Sequence, residues 1–260
     1  MTYHSKTLFS TKEIAVIDQA LILAAGHGSR LRDHVPVPHK ALVEIEGEPL
    51  LLRTCRMLGQ LGLREIVIVT GHRSTELRSA LETAGDLGVK LGFVENADWQ
   101  LANGLSVLAA AEVLEENYLL MMADHLFDPE MIAQMRRVEL AAGEVVLAVD
   151  CKLEVIYDMD DATKVRLNGE RIVEIGKEIA DFNAVDTGLF ACGEALVACL
   201  GEVKATKGDC SLTDGMRVLL QRDRFRARDI GDAWWQDVDT PGALKHGAQL
   251  FRTYGAGESA

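Results

Sequence analysis

Ala20-Leu-Ile-Leu-Ala-Ala-Gly26-His-Gly28-Ser-Arg30-Leu-Arg32-Asp-His-Val-Pro-Val-Pro-His-Lys40 is the stretch on which the reading of this chain turns. Ala20 to Ala25 is a short apolar run without charge, the pattern of a parallel strand buried on both faces. It empties into a loop holding Gly26 and Gly28. Two glycines let backbone N–H groups approach an anion closely, and Arg30, Arg32 and Lys40 add cations nearby. Such a loop suits a polyphosphate. A Walker A loop would need Gly-Lys-Ser/Thr, whereas Gly28 is followed by Ser29 and Arg30. A dinucleotide fingerprint would need a small residue where Leu31 stands. The bland alternative is an ordinary strand-to-helix turn.

Working outward, strands alternate with helical patterns. A short strand is expected over Ala41 to Ile45 and a turn over Glu46 to Pro49, followed by a helix with Leu51, Cys55 and Leu58 that Gly62 ends. Glu65 to Thr70 reads as a strand, Ser74 as the cap of a helix over Leu77 to Ala84, and Val89 to Val94 as a strand. A helix bearing Val107, Ala110, Ala111 and Leu114 precedes the strand Tyr118 to Met122. Asp128-Pro129 opens another helix, and Val145 to Val149 is a strand. The alternation predicts an α/β, Rossmann-like, mostly parallel sheet covered by helices, with ligands at the strands' carboxyl ends.

Past Asp150 the character changes. Asn168-Gly169 between Thr163 to Leu167 and Glu170 to Ile175 predicts an antiparallel hairpin, as an inserted lobe over about 151–184. In the register expected, Leu167 pairs with Glu170, Lys164 lies opposite Val173, and Lys164, Val173, Ile175 and Lys177 share a face. A solvated charged face is the bland reading. Val185 to Ala191 is a strand, Ser211 and Asp214 form a capping box, one strand lies near Arg226 to Trp235, and Thr240-Pro241 opens the last helix. A single domain is expected over 19–254, with an extension at 1–18 and a tail at 255–260.

The chain has 260 residues, 48% hydrophobic and 26% charged, with a net charge of −13. That field disfavours nucleic acid as a partner, yet local cations and a Mg²⁺ can still hold a nucleoside triphosphate because salt screens beyond about 8 Å. No apolar run approaches the roughly 20 residues of a membrane span, and Met1 to Gln19 is too polar for a signal peptide, so a cytoplasmic location without membrane insertion is expected. Five cysteines without a Cys-x-x-Cys pair suggest buried thiols rather than disulfides or zinc. A homo-oligomer is compatible with the sequence, which does not fix the assembly.

Asp124 follows its strand directly, placing a carboxylate on the same rim as the glycine loop, where Mg²⁺ could be held. Asp237 and Asp239 fall on one face if extended; either completes such a site, and Asp237 is preferred because Asp239 borders the Thr240 cap. His125 is a candidate substrate contact or a histidine satisfied locally. Asn103-Gly104-Leu105-Ser106 either caps a helix or reads a pyrimidine edge.

Leu-Ala-Ala-Gly-x-Gly-x-Arg-Leu with a downstream Pro and Lys resembles the nucleotidyltransferases that make sugar nucleotides. Asn103-Gly104 with Ser106, Ala123-Asp124-His125, Ala162-Thr163-Lys164, Ile175-Gly176-Lys177, Val185-Asp186-Thr187-Gly188 and Asp237-Val238-Asp239-Thr240 extend the likeness to the cytidylyltransferases of inositol 1-phosphate, over about Ala20 to Leu250. The resemblance implies that Leu23, Ala24, Ala25, Gly26, His27, Gly28, Ser29, Arg30 and Lys40 line CTP, with Asn103, Gly104 and Ser106 at the base. It implies Mg²⁺ on Asp124 with Asp237 or Asp239, and an acceptor site of His125, Lys164, Lys177, Asp186, Thr187 and Gly188. Arg30, Lys40, Lys164 and Lys177 would then be the catalytic cations. His39 departs from the Pro-Lys pair of many relatives and puts the reach of Lys40 in question. Phosphocholine, an aminoalkyl phosphonate or a hexose 1-phosphate are alternative acceptors. In some members the domain is fused to a membrane phosphotransferase, so the product is expected to feed a membrane enzyme. A nicotinamide-dependent reductase is disfavoured by Leu31, and a nonenzymatic nucleotide sensor by the retained aspartates and lysines.

Overall fold

The computed structural model describes residues 16–32 and 35–255. Most of the expected extension, residues 1–15, and the tail 256–260 lie outside them. In chain order the elements are β1 (Gln19–Ala24), α1 (Ser29–Arg32), β2 (Glu44–Ile45), β3 (Glu48–Pro49), α2 (Leu50–Gln60), β4 (Glu65–Thr70), α3 (Ser74–Glu82) and β5 (Lys90–Glu95). Then come α4 (Gly104–Ala109), β6 (Asn117–Met122), β7 (His125–Phe127), α5 (Pro129–Met135), β8 (Val145–Asp150), β9 (Lys164–Asn168) and β10 (Arg171–Gly176). The chain closes with β11 (Ala184–Gly193), α6 (Ala195–Lys207), α7 (Leu212–Gln221), β12 (Phe225–Asp229), β13 (Trp235–Asp237) and α8 (Pro241–Tyr254).

Nine strands form the main sheet in the order β5-β4-β1-β6-β11-β8-β12-β10-β9. The first four are parallel, and β11 runs antiparallel to both β6 and β8. Successive residues of β1 point to opposite faces: Ala20, Ile22 and Ala24 enter one hydrophobic cluster, while Leu21 and Ala25 enter the other. Both faces are covered, which is why this strand reads as a continuous apolar run rather than an alternating one. The parallel order also brings the ends of β1 and β6 side by side, with Leu23 beside Met122. The glycine loop and Asp124 therefore leave the same edge of the sheet.

The hairpin exists, and its strands are joined to the main sheet. β10 pairs with β12 and β9 with β11, so five strands complete a closed circuit of pairings. Its register differs from the expected one: Asn168 pairs with Arg171 and Leu167 with Ile172, and an irregularity at Val173 puts Lys164 opposite Gly176. Gly169, at φ +61°, and Glu170 are the two turn residues. Val165 and Ile175 point inward, whereas Arg166 pairs with Glu174 outside, so Ile175 does not share a face with Lys164.

Other local expectations shift for identifiable reasons. Ala41 to Ile45 opens as a 3₁₀ turn, Lys40–Leu42, and only Glu44–Ile45 is strand, because Glu46 and Gly47 both take positive φ and fold the chain back onto β3. Ser74 starts α3 instead of capping it; its hydroxyl lies 2.9 Å from that of Thr70. The expected strand over Arg226 to Trp235 is two strands, β12 and β13, separated by a turn at Gly231 with φ +60°. Helix α6 has no counterpart in the sequence reading, although Leu196, Cys199, Leu200 and Val203 bury one face at helical spacing.

Candidate active site

The Lys40 ammonium is delivered to the rim by a neighbour that the sequence made suspect. His39 caps the 3₁₀ turn, its Nδ1 accepting from the Ala41 N–H at 3.1 Å, and Lys40 then reaches Asp124 Oδ2 at 2.6 Å. Gly28, at φ +61°, lies directly against the Lys40 stem: a Cβ there would sit 2.6 Å from Lys40 Cβ. Glycine thus serves the close approach of loop and lysine as well as the turn.

Asp124 is the hub. Its Oδ1 lies 2.9 Å from His125 Nδ1, which is 3.8 Å from Asp237 Oδ1. β13 pairs with β7 so that Asp237 stands opposite His125. The imidazole is held between Phe127 and Trp235, whose rings stack on it at 5.8 and 5.9 Å, and the Trp235 indole N–H donates to buried Asp150 at 3.0 Å.

Electrostatics follow from this packing. Burial alone would push Asp124 up, but Lys40 and His125 outweigh it and hold the carboxyl well below the usual range. Burial likewise disfavours the charged forms of Lys40 and His125; their carboxylate neighbours prevail and raise both. Asp237 goes the other way, pushed up to about 6 by burial and by Asp124 and Asp239. Its buried Oδ1 accepts no hydrogen bond.

A buried carboxylate oxygen without a hydrogen bond, close to a second carboxylate, is the arrangement a hard cation completes. The ligand atoms of Asp124, His125 and Asp237 lie within 4.8 Å of one another, as do those of Asp161, Asp237 and Asp239. Asp239 is engaged by the Arg30 guanidinium, which leaves Asp237 as the better metal partner of Asp124. The residues present therefore fit a divalent cation.

A cavity of about 570 Å³ opens beside this cluster, lined by Arg30, Asn103, His125, Lys177, Asp186, Gly188, Asp237 and Asp239 among others. These eight are expected site residues; the glycine loop, Lys40 and Asp124 stand beside the cavity without lining it. Gly188 has φ +76°, and a Cβ there would meet the His125 ring at 2.9 Å. Asp186 accepts from the Gly188 N–H at 2.7 Å, and burial raises its carboxyl to about 6.

Ser106, Thr187 and Lys164 are expected site residues engaged elsewhere. Ser106 is buried and accepts from the Asn96 amide at 3.1 Å, so it supports the wall rather than facing the cavity. Thr187 is fully buried, its hydroxyl donating to the Ala148 carbonyl at 2.8 Å. Lys164 donates to the Asp160 carbonyl at 3.2 Å and does not line the cavity, a consequence of the shifted hairpin register. Asn103 does not cap its own helix; its carbonyl accepts from the Leu212 N–H at 2.8 Å and ties α4 to the start of α7. Gly104 packs there too, where a Cβ would lie 2.6 Å from the Cys210 carbonyl. The sequence reading missed Asp161, which bonds Arg30 and Lys177, and the Asp150 and Trp235 pair beneath His125. Only the acidic run Asp158 to Asp161 offered a signal for the first.

The family described as the MobA-like NTP transferase domain matches residues 20–174. A bifunctional IPC transferase and DIPP synthase of Rubrobacter xylanophilus is 39% identical over 241 residues, covering 91% of this chain and 52% of that protein. Its namesake from Thermococcus kodakarensis is 29% identical, covering 91% and 51%. The chain thus spans about half the length of these curated relatives. The solved structure of the inositol-1-phosphate CTP transferase from T. maritima superimposes with a TM-score of 0.82 at 27% identity, covering 94% of this chain and 99% of that one. With the glycine loop, the strand-end aspartate and the hairpin all in place, the chain belongs to the family of MobA-like NTP transferase domains.

Proposed function

We propose that this chain transfers CMP from CTP to inositol 1-phosphate, giving CDP-inositol and pyrophosphate. The observation that carries the reading is the convergence of Lys40, Asp124 and the Asp237 oxygen that accepts no hydrogen bond at the foot of the glycine loop, in a chain similar along nearly its whole length to an inositol-1-phosphate CTP transferase. Asp124 and Asp237 would hold Mg²⁺, which when bound neutralises phosphate charge. Backbone N–H groups near Gly26 and Gly28 cradle the triphosphate, and Arg30 and Lys40 balance charge as it moves onto the leaving pyrophosphate. An oxygen of the acceptor phosphate forms a bond to the α-phosphorus, and the bond from that phosphorus to the oxygen bridging to the β-phosphorus breaks. The attacking oxygen is already anionic, so no general base is required; catalysis rests on positioning and charge. Lys177, Asp186 and Gly188 form the acceptor side. Five unpaired cysteines suit a reducing cytoplasm, and no helix among the described residues is long and apolar enough to cross a membrane.

A pyrophosphate-release screen crossing the four ribonucleoside triphosphates with inositol 1-phosphate, phosphocholine, 2-aminoethylphosphonate and glucose 1-phosphate tests nucleotide and acceptor together. CTP with inositol 1-phosphate is expected to dominate. A pocket bonded to the cytosine 4-amino group would leave a buried group unpaired with UTP, at a cost of about 1–3 kcal/mol. Preference for another pair would replace the acceptor or the base in this reading.

A further inference from the structure

The two exposed cations of the cavity are already bridged by a carboxylate. Asp161 Oδ2 accepts from the Arg30 guanidinium at 2.9 Å, and Asp161 Oδ1 accepts from the Lys177 ammonium at 2.6 Å. Arg30 comes from α1 after the glycine loop and Lys177 from the end of the hairpin, and both line the cavity. Asp161 belongs to the segment joining β8 to β9, which lines one side of the cavity. That segment is anchored independently: the Tyr157 ring stacks on His246 of α8 at 4.6 Å, and its hydroxyl packs over Gly242.

We propose that Asp161 is a built-in stand-in for the acceptor phosphate and sets which anions the site accepts. The inference rests on the assignment of Arg30 and Lys177 to substrate phosphates. Both cations are more than half exposed and Asp161 is a third exposed, so the bridge is screened by water and easily exchanged. A monoanion replacing Asp161 restores only the charge it displaces. A dianion brings one charge more than the carboxylate it displaces, and its three terminal oxygens can serve Lys177 and Arg30 together, the latter keeping its second pair with Asp239. The bridge thereby sets a threshold that phosphomonoesters and phosphonates clear and that phosphodiesters and carboxylates do not. The displaced carboxylate can turn to solvent, because Tyr157 holds the segment without it.

The test uses methyl phosphate as the dianionic probe at pH 8 and dimethyl phosphate as the monoanionic one, with dissociation constants from ³¹P NMR titrations of the full chain and its Asp161→Asn variant. Loss of two exposed ion pairs should tighten methyl phosphate by about threefold to tenfold. Dimethyl phosphate, undetectable or much weaker on the parent, should gain by a similar factor, so that the weaker anion crosses the threshold the bridge had set. In turnover the variant should show a lowered acceptor KM with kcat kept. Unchanged or weaker binding of both probes in Asp161→Asn, or a raised acceptor KM, would make Asp161 a support for the cations and overturn the proposal. Asp161→Ala checks that the result does not depend on the asparagine amide. CTP-dependent pyrophosphate release, followed separately on the parent, reports on the proposed reaction: its failure alongside tighter probe binding would sink that reaction and leave the anion bridge standing.

Discussion

At the scale of single residues, the site is a balance of buried charge, and each partner titrates according to what surrounds it. Asp124 is kept ionised by Lys40 and His125, so Asp124→Asn should remove most turnover with the fold intact, and Asp237→Asn should do the same. EDTA should mimic both variants. Near-parental turnover of either at limiting Mg²⁺ would remove that residue from the metal site. Asp186 offers the opposite case. Burial raises its carboxyl to about 6, so below about pH 4 both folded and unfolded states hold the proton and the group costs nothing. Between those values the unfolded state ionises first, and above about pH 6 the folded state carries a buried charge at full cost. Asp186→Asn keeps an oxygen for the Gly188 N–H, so at pH 8 it should stabilise by on the order of 2 kcal/mol, with no gain at pH 4. Urea unfolding at the two pH values checks the sign.

Among elements, legibility tracked how local the cause was. β4 matches the sequence reading because its boundaries and its burial are both written within its own residues, and α7 does because Ser211 and Asp214 cap one another. The hairpin register departs from the expected one first at the turn, which is Gly169-Glu170, and again at the irregularity at Val173, where β10 and β9 also pair with β12 and β11 from far along the chain. Asp161 escaped notice for the same reason: its partner Arg30 is 131 residues away. Helix α6 is legible in its own residues, from its apolar spacing and from Gly208, which ends it at φ +78°. The corrected register separates two lysines that the sequence treated as equivalent. Lys177→Met should raise the acceptor KM at least tenfold with little effect on that of CTP, whereas Lys164→Met, whose ammonium serves the Asp160 carbonyl, should change either by less than about threefold. Steady-state kinetics with the two substrates varied separately decide it, and equal effects would restore Lys164 to the site.

At the scale of the whole molecule, β11 joins two differently built halves: the parallel strands carrying the glycine loop and Asp124, and the closed circuit of mixed pairings beside which Lys177, Asp186 and Gly188 lie. Its pairing with β8 breaks between Asp186 and Phe190, and that break turns Asp186 and Gly188 toward the cavity. A parallel core was readable from the alternation of strands and helices, but the joint was not, since a strand's sequence does not reveal which neighbour it leaves. Where the ladder is interrupted, the Thr187 hydroxyl takes over by donating to the Ala148 carbonyl from a fully buried position. Thr187→Val keeps the shape and removes that bond, leaving a buried carbonyl short of a partner at a cost of about 1–3 kcal/mol. The loss should appear as a lower urea midpoint with an unchanged slope, because the surface exposed on unfolding stays the same. Since the same residues orient Gly188 against His125, acceptor KM should rise along with it while CTP binding holds. A variant as stable as the parent would mean that the Ala148 carbonyl is satisfied without Thr187, and that the joint is held by the flanking ladder alone.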